Sequence, residues 1–124
     1  MTSTGGTLLI AGALAPYLWF AGRDNMAHFK LRMVSPLEHA LHLLLLGTLT
    51  IACSGVFARD VDRVLLGLLL FVPPALGDEL VFHRGIPLEE HDLHAKEHLL
   101  LLVFFVVGAL VASAERGALP FFQG

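Results

Sequence analysis

Two short stretches hold most of the chemistry this chain could perform. Glu38-His39-Ala40-Leu41-His42 and Glu90-His91-Asp92-Leu93-His94 agree at four of five positions, follow a Pro-Leu-Glu opening and lead into leucine-rich runs. A third carboxylate and imidazole, Glu79 and His83, have the same spacing as Glu38/His42 and Glu90/His94. A helix turns ~100° per residue, so side chains four apart stand on one face, one above the other. Glu38, His42 and His39 then share a stripe ~100° wide, and Glu90, His91, His94, Glu97 and His98 one ~120° wide. Asp92 and Lys96 point elsewhere.

Imidazole and carboxylate without sulfur suit iron, manganese or zinc, with copper as a further option. The single cysteine, Cys53, lies in an apolar run and rules out both an internal disulfide and a thiolate-rich site. The expected metal ligands are Glu38, His39, His42, Glu79, His83, Glu90, His91, His94 and His98. Enough acids are present to bridge, which favours two divalent ions, or three, over one. Glu97 or Glu79 is the expected general base.

The elements that must position these residues follow from composition. Of 124 residues, 56% are hydrophobic and 15% charged, against ~25% charged in soluble domains. A single integral membrane domain is the natural reading. A net charge of −3 without any Lys/Arg run gives no case for nucleic acid or a polybasic lipid patch. Four apolar segments are expected as helices, at 7–21, 36–58, 61–83 and 87–112. The first is short and can extend through the amphipathic "MAHFKLRM". It also resembles a signal-peptide core, but no Lys or Arg precedes it and Pro16 follows the Ala13-Leu14-Ala15 site, so it reads as a retained helix. Ser35-Pro36-Leu37-Glu38 is a capping box, and Pro87 opens the fourth helix. The links "RDVD" and "HRGI" are short enough to demand antiparallel neighbours. The expected fold class is all-α, a membrane four-helix up-down bundle.

That topology gathers all seven histidines on one membrane face: His28, His39, His42, His83, His91, His94 and His98. Arg23, Lys30, Arg32, Arg84 and Lys96 share it, against Arg59, Arg63 and Arg116 opposite, which points the histidine side to the cytoplasm. The repeated pentapeptide suggests two helix hairpins related by an approximate two-fold axis along the membrane normal.

The clustering is similar to that of membrane histidine-box di-iron hydroxylases and desaturases, and of ferritin-like carboxylate bundles. It departs from both, having Glu-x-x-x-His where ferritin-like proteins have Glu-x-x-His and no adjacent histidine pair, so no membership follows. Such a site would oxidise a lipid-soluble substrate, a quinone or acyl chain, or with zinc hydrolyse a lipid ester or amide. Three other readings compete. His42 with His94 or His98 could ligate haem b axially, leaving the acids unexplained. A metal-binding or storage subunit needs the same ligands, although Thr48, Thr50, Cys53 and Ser54 alone make no transport path. A structural subunit would use the acids and histidines only in ion pairs. Individual residues also have plain roles: Glu38 in the capping box, Glu89 and Glu90 at the helix dipole, His28 at the interface, Tyr17 and Trp19 in an aromatic belt, Pro73-Pro74 as a kink. Membrane lipids are the expected surroundings, and Gly47, Gly55, Gly67 and Gly108 offer close-approach points for a homo-oligomer.

Overall fold

The computed structural model describes residues 2–31, 35–82 and 85–117, without the side chains of residues 27–31 and 82. The described residues form α1 (Thr4–Leu31), α2 (Pro36–Ala58), α3 (Val61–Gly77), a π-helical turn continuing α3 (Asp78–Phe82) and α4 (Leu88–Glu115). This is an all-α four-helix bundle. All four helical runs are long and apolar enough to cross a membrane, which makes the chain a multi-pass membrane protein by length and composition. The 28 residues of α4 reach ~42 Å, the depth of a bilayer with its headgroups. Leucines such as Leu43 and Leu69, about 70% exposed, point where lipid would solvate them.

Local chemistry sets the helix ends. Ser35 caps α2, its hydroxyl accepting from Glu38 N at 3.2 Å, with Pro36 at the first position. The "RDVD" link ends one helix and starts the next. Arg59 closes α2 in the left-handed region at φ 57°, and Asp60 caps α3 by accepting from Arg63 N at 3.1 Å. The first helix does not stop near Ala21 as expected but continues to Leu31, with Pro16 inside it. In lipid an interrupted helix would leave backbone groups unsatisfied, so the polar "RDN" segment stays helical. Pro87 is the residue before α4, which begins at Leu88. Pro73-Pro74 lie inside α3, which stays helical through them, and a π-turn begins three residues later at Asp78; single π-turns commonly occur at functional sites.

Long interfaces join α1 to α4 and α2 to α3, while α1 and α2 scarcely touch and α2 meets α4 at the centre. A two-fold operation exchanging α1 with α3 and α2 with α4 would interchange the two long interfaces, in keeping with the repeated pentapeptide. Buried residues recur at steps of three, four, seven and eleven: Ile10, Tyr17 and Asp24 on α1; Glu38, Leu49, Ala52 and Val56 on α2; Gly67, Pro74 and Asp78 on α3 and its π-turn; Glu90, Leu93, Phe104, Gly108 and Val111 on α4. Ile10, Val56, Phe104 and Val111 form the apolar core. Glycine fixes the closest approaches. A Cβ on Gly67 would lie 2.4 Å from Ala52 N, and one on Gly108 2.4 Å from Val56 Cγ1. Gly55, Gly67 and Gly108 thus serve packing within the chain. Of the four glycines expected to mediate assembly, only Gly47 faces open space.

The end away from the histidines is tied by one arginine. Arg59 Nε and Nη2 donate to Glu115 at 2.9 and 3.0 Å, and Nη1 donates to Phe57 O at 2.7 Å. Ser3 N and Oγ donate to the same carboxylate at 2.8 and 2.6 Å. The start of α1 and the ends of α2 and α4 are held together there.

Candidate metal centre

At the histidine end the buried stripes of all four helices terminate in acids. Asp24, Glu38, Asp78 and Glu90 are 4%, 1%, 3% and 0% exposed. Burying a carboxylate without compensation is costly, so these positions demand partners. Imidazoles provide them for Asp78 and Asp24. His42 Nε2 lies 3.2 Å from Asp78 Oδ1, and His94 Nδ1 lies 3.2 Å from Asp24 Oδ2. His94 Nε2 meets Glu79, and His94 Nδ1 is 4.0 Å from Glu97 Oε2. His98 stacks on His94 with ring centroids 4.2 Å apart and approaches Glu79 at 4.0 Å.

Donor atoms converge in three groups: Glu38, His42 and Asp78; Asp24, His94 and Glu97; Glu79, His94 and His98. Within each, one atom per residue lies within 4.8 Å of the others. Two groups share His94, so the chain offers one site around His42 and one around His94. The two sites follow the two-fold pattern. Asp78 from the α3 run serves His42 on α2, and Asp24 from α1 serves His94 on α4. The extra donors are not symmetric. Glu97 and His98 stand where α2 has Leu45 and Leu46, so the His94 site is richer.

Side chains of consecutive helical residues point ~100° apart, so two adjacent acids reach different partners. Asp78 reaches His42 on α2 while Glu79 reaches His94 on α4.

Of the expected ligands, the structure brings together Glu38, His42, Glu79, His94 and His98. Glu90 is fully buried on the same face but belongs to none of the three groups. His39 and His91 are exposed and join none of them. His83 and the side chain of His28 lie outside the described residues. Helix geometry accounts for the pattern on α4. Measured from Glu90, Glu97 is ~20° away, His94 ~40°, His98 ~80° and His91 ~100°. Glu90 is buried, Glu97 and His94 are half-buried, and His98 and His91 are exposed. The inward face is narrower than the stripe of polar residues.

Asp24 and Asp78 are not among the expected ligands; the first apolar segment is expected over 7–21, with its extension through "MAHFKLRM" left open. Both follow the heptad-like spacing of buried residues: Ile10, Tyr17, Asp24 on α1 and Gly67, Pro74, Asp78 on α3. Tyr17 is corrected from a belt residue to a buried one. It is 7% exposed, and its hydroxyl donates to Glu97. Trp19 is 65% exposed, as a belt residue would be. Lys96 pairs with Asp92 at 2.8 Å on the outside of α4. Comparison with family models, with curated proteins and with solved structures finds no match for this chain.

Proposed function

We propose that this chain is a small membrane metalloprotein that holds two divalent cations at its histidine end and acts on a lipid-soluble substrate. The observation that carries the reading is the gathering of four buried carboxylates, one per helical run, at the end where His42 meets Asp78 and His94 meets Asp24, each histidine closing one of two related pentapeptides. Mixed imidazole and carboxylate donors fit iron best, with manganese or zinc as alternatives. Iron would supply redox chemistry, and zinc would supply Lewis-acid help to hydrolysis. The acid-rich donor set favours iron and an oxidation.

The residues divide the work. Glu38, His42 and Asp78 would hold one cation; Glu79, His94 through Nε2 and His98 would hold the other, with Asp24 at His94 Nδ1 orienting the ring. Glu97 lines the cavity beside His94, and the Tyr17 hydroxyl fixes its orientation. Glu97 is therefore the group to accept a proton from a substrate lying there. Glu79 is committed to His94 and acts as ligand or orienter, not as base. The distribution of Lys and Arg supports a cytoplasmic histidine end.

The test is elemental analysis of purified protein. Two equivalents of iron, manganese or zinc per chain are expected. His42→Ala and His94→Ala should each lower that number by one, and Lys96→Ala should leave it unchanged. Metal content unaffected by either histidine change would overturn the site. A haem absorption band in place of non-haem metal would transfer His42 and His94 to an axial-ligand role.

A further inference from the structure

Below the acid and histidine cluster lies a cavity of about 430 Å³, within the usual range for small-molecule sites. Its two ends differ in character. Asp24, Asp78, His42, His94 and Glu97 line the upper end; Leu14, Leu18, Leu46, Leu49 and Phe71 line a shaft that reaches Cys53. On α1 the lining runs from Asn25 down to Leu14, and on the antiparallel α2 from His42 down to Cys53. Each stretch covers ~16 Å of helix, about half of a ~30 Å hydrocarbon core. The shaft is one leaflet deep. Spread over that depth, the 430 Å³ averages ~27 Å² in section, room for one extended hydrocarbon chain. The cavity lies along the seam where α1 and α2 scarcely touch, so a chain can enter sideways from the leaflet.

Charge selects the head. Asp24, Asp78 and Glu97 line the upper end, with Glu38 and Glu79 in the clusters beside them. Two divalent cations leave this set of carboxylates net negative. An anionic head would meet like charge in a low-dielectric setting, whereas a hydroxyl meets acceptors that it can satisfy.

We propose that the cavity binds a single-chain lipid with an uncharged polar head, of the long-chain alcohol class, head against His94 and Glu97 and tail down the leucine shaft. This names the substrate class for the metal centre proposed above and rests on that reading for its chemistry, though not for the binding itself.

Cys53, the sole cysteine, reports occupancy of the shaft. The protein would be placed in phosphatidylcholine nanodiscs, and modification of Cys53 by N-ethylmaleimide followed by mass spectrometry. Dodecan-1-ol at ten times its dissociation constant should slow modification about tenfold. Dodecanoate at the same membrane fraction should slow it less than twofold, and a short-tailed quinone likewise. Leu46→Trp, at a position 63% exposed and thus safe for folding, should bring the ratio with and without alcohol close to one. Equal protection by alcohol and carboxylate overturns the head assignment. Protection by the quinone as strong as by the alcohol, or none by any of them, overturns the chain assignment. Metal content measured on the same nanodiscs separates the two proposals: protection without metal sinks the metal centre alone, and metal without protection sinks the lipid site alone.

Discussion

Replacing Asp24 by asparagine keeps the shape of the side chain and removes its charge. Asp24 Oδ2 stands 3.2 Å from His94 Nδ1, so under the proposed function the carboxylate would either touch a cation held at His94 or orient the imidazole that holds it. A unit charge ~5 Å from a divalent ion at an effective dielectric of ~20 gives a gross attraction of ~7 kcal/mol, an upper bound before desolvation. Loss of a carboxylate that only orients a ligating histidine weakens metal binding ~10–100-fold, or ~1.4–2.7 kcal/mol. Asp24→Asn is therefore expected to weaken one of two binding steps by at least ~10-fold and to leave the other intact. Asp78→Asn should do the same to the other step, since Asp78 serves His42 as Asp24 serves His94. The assay is competition between nanodisc-embedded protein and a chromophoric chelator, read as two stepwise affinities. If Asp24→Asn weakens both steps alike, the two-site arrangement is wrong. If it weakens neither, the buried acid has no part in holding metal.

Four further outcomes test the frame around the site. Arg59→Ala should cost ~1.5–3 kcal/mol in a reversible unfolding titration in mixed micelles, because it removes the charge-assisted hydrogen bonds to Glu115 and leaves that carboxylate only those from Ser3; a loss below ~1 kcal/mol would mean that the remaining partners already satisfy that acid. Gly67→Val should destabilise by more than ~3 kcal/mol, beyond ordinary overpacking, since its Cβ would sit 2.4 Å from the backbone of Ala52 and no rotamer change relieves that. Gly47→Ala, in open space, should stay within ~0.5 kcal/mol of the parent in the same titration. Tyr17→Phe should leave the metal count unchanged but lower turnover of any substrate the protein is found to convert, because Glu97 loses the donor that orients it; equal turnover would remove Tyr17 from the site.

The bundle was legible because lipid leaves few alternatives. Apolar runs of membrane length, the Ser35-Pro36 cap and the short link at Arg59-Asp60 fix helix number and direction between them. The end of α1 was not, because Arg23, Asp24 and Asn25 look like a polar link when polarity alone marks a boundary. The spacing of Ile10, Tyr17 and Asp24 carried the missing information. The same holds for the site. Glu38, His42 and His94 were recognisable from type and spacing, but the exposed His39 and His91 were grouped with them because a ~100° stripe is broader than the face a helix buries here. Asp78 and Glu79 are neighbours in the chain that serve different helices, since consecutive helical residues point ~100° apart; which helix each one meets is set by packing that no residue pattern announces.

The Arg59–Glu115 clamp gives the molecule a fulcrum. Near one leaflet, three helix termini are pinned by charge-assisted hydrogen bonds that need no cofactor. Near the other, the same helices carry acids that repel one another unless something positive sits between them. Any loosening of the acid end must therefore swing the helices about the pinned end, as the arms of a peg swing about its spring, and the widest travel falls at the mouth of the α1–α2 seam. Amide exchange should then fade along each helix from the histidine end towards Glu115, and withdrawing cations should steepen that gradient without moving its origin.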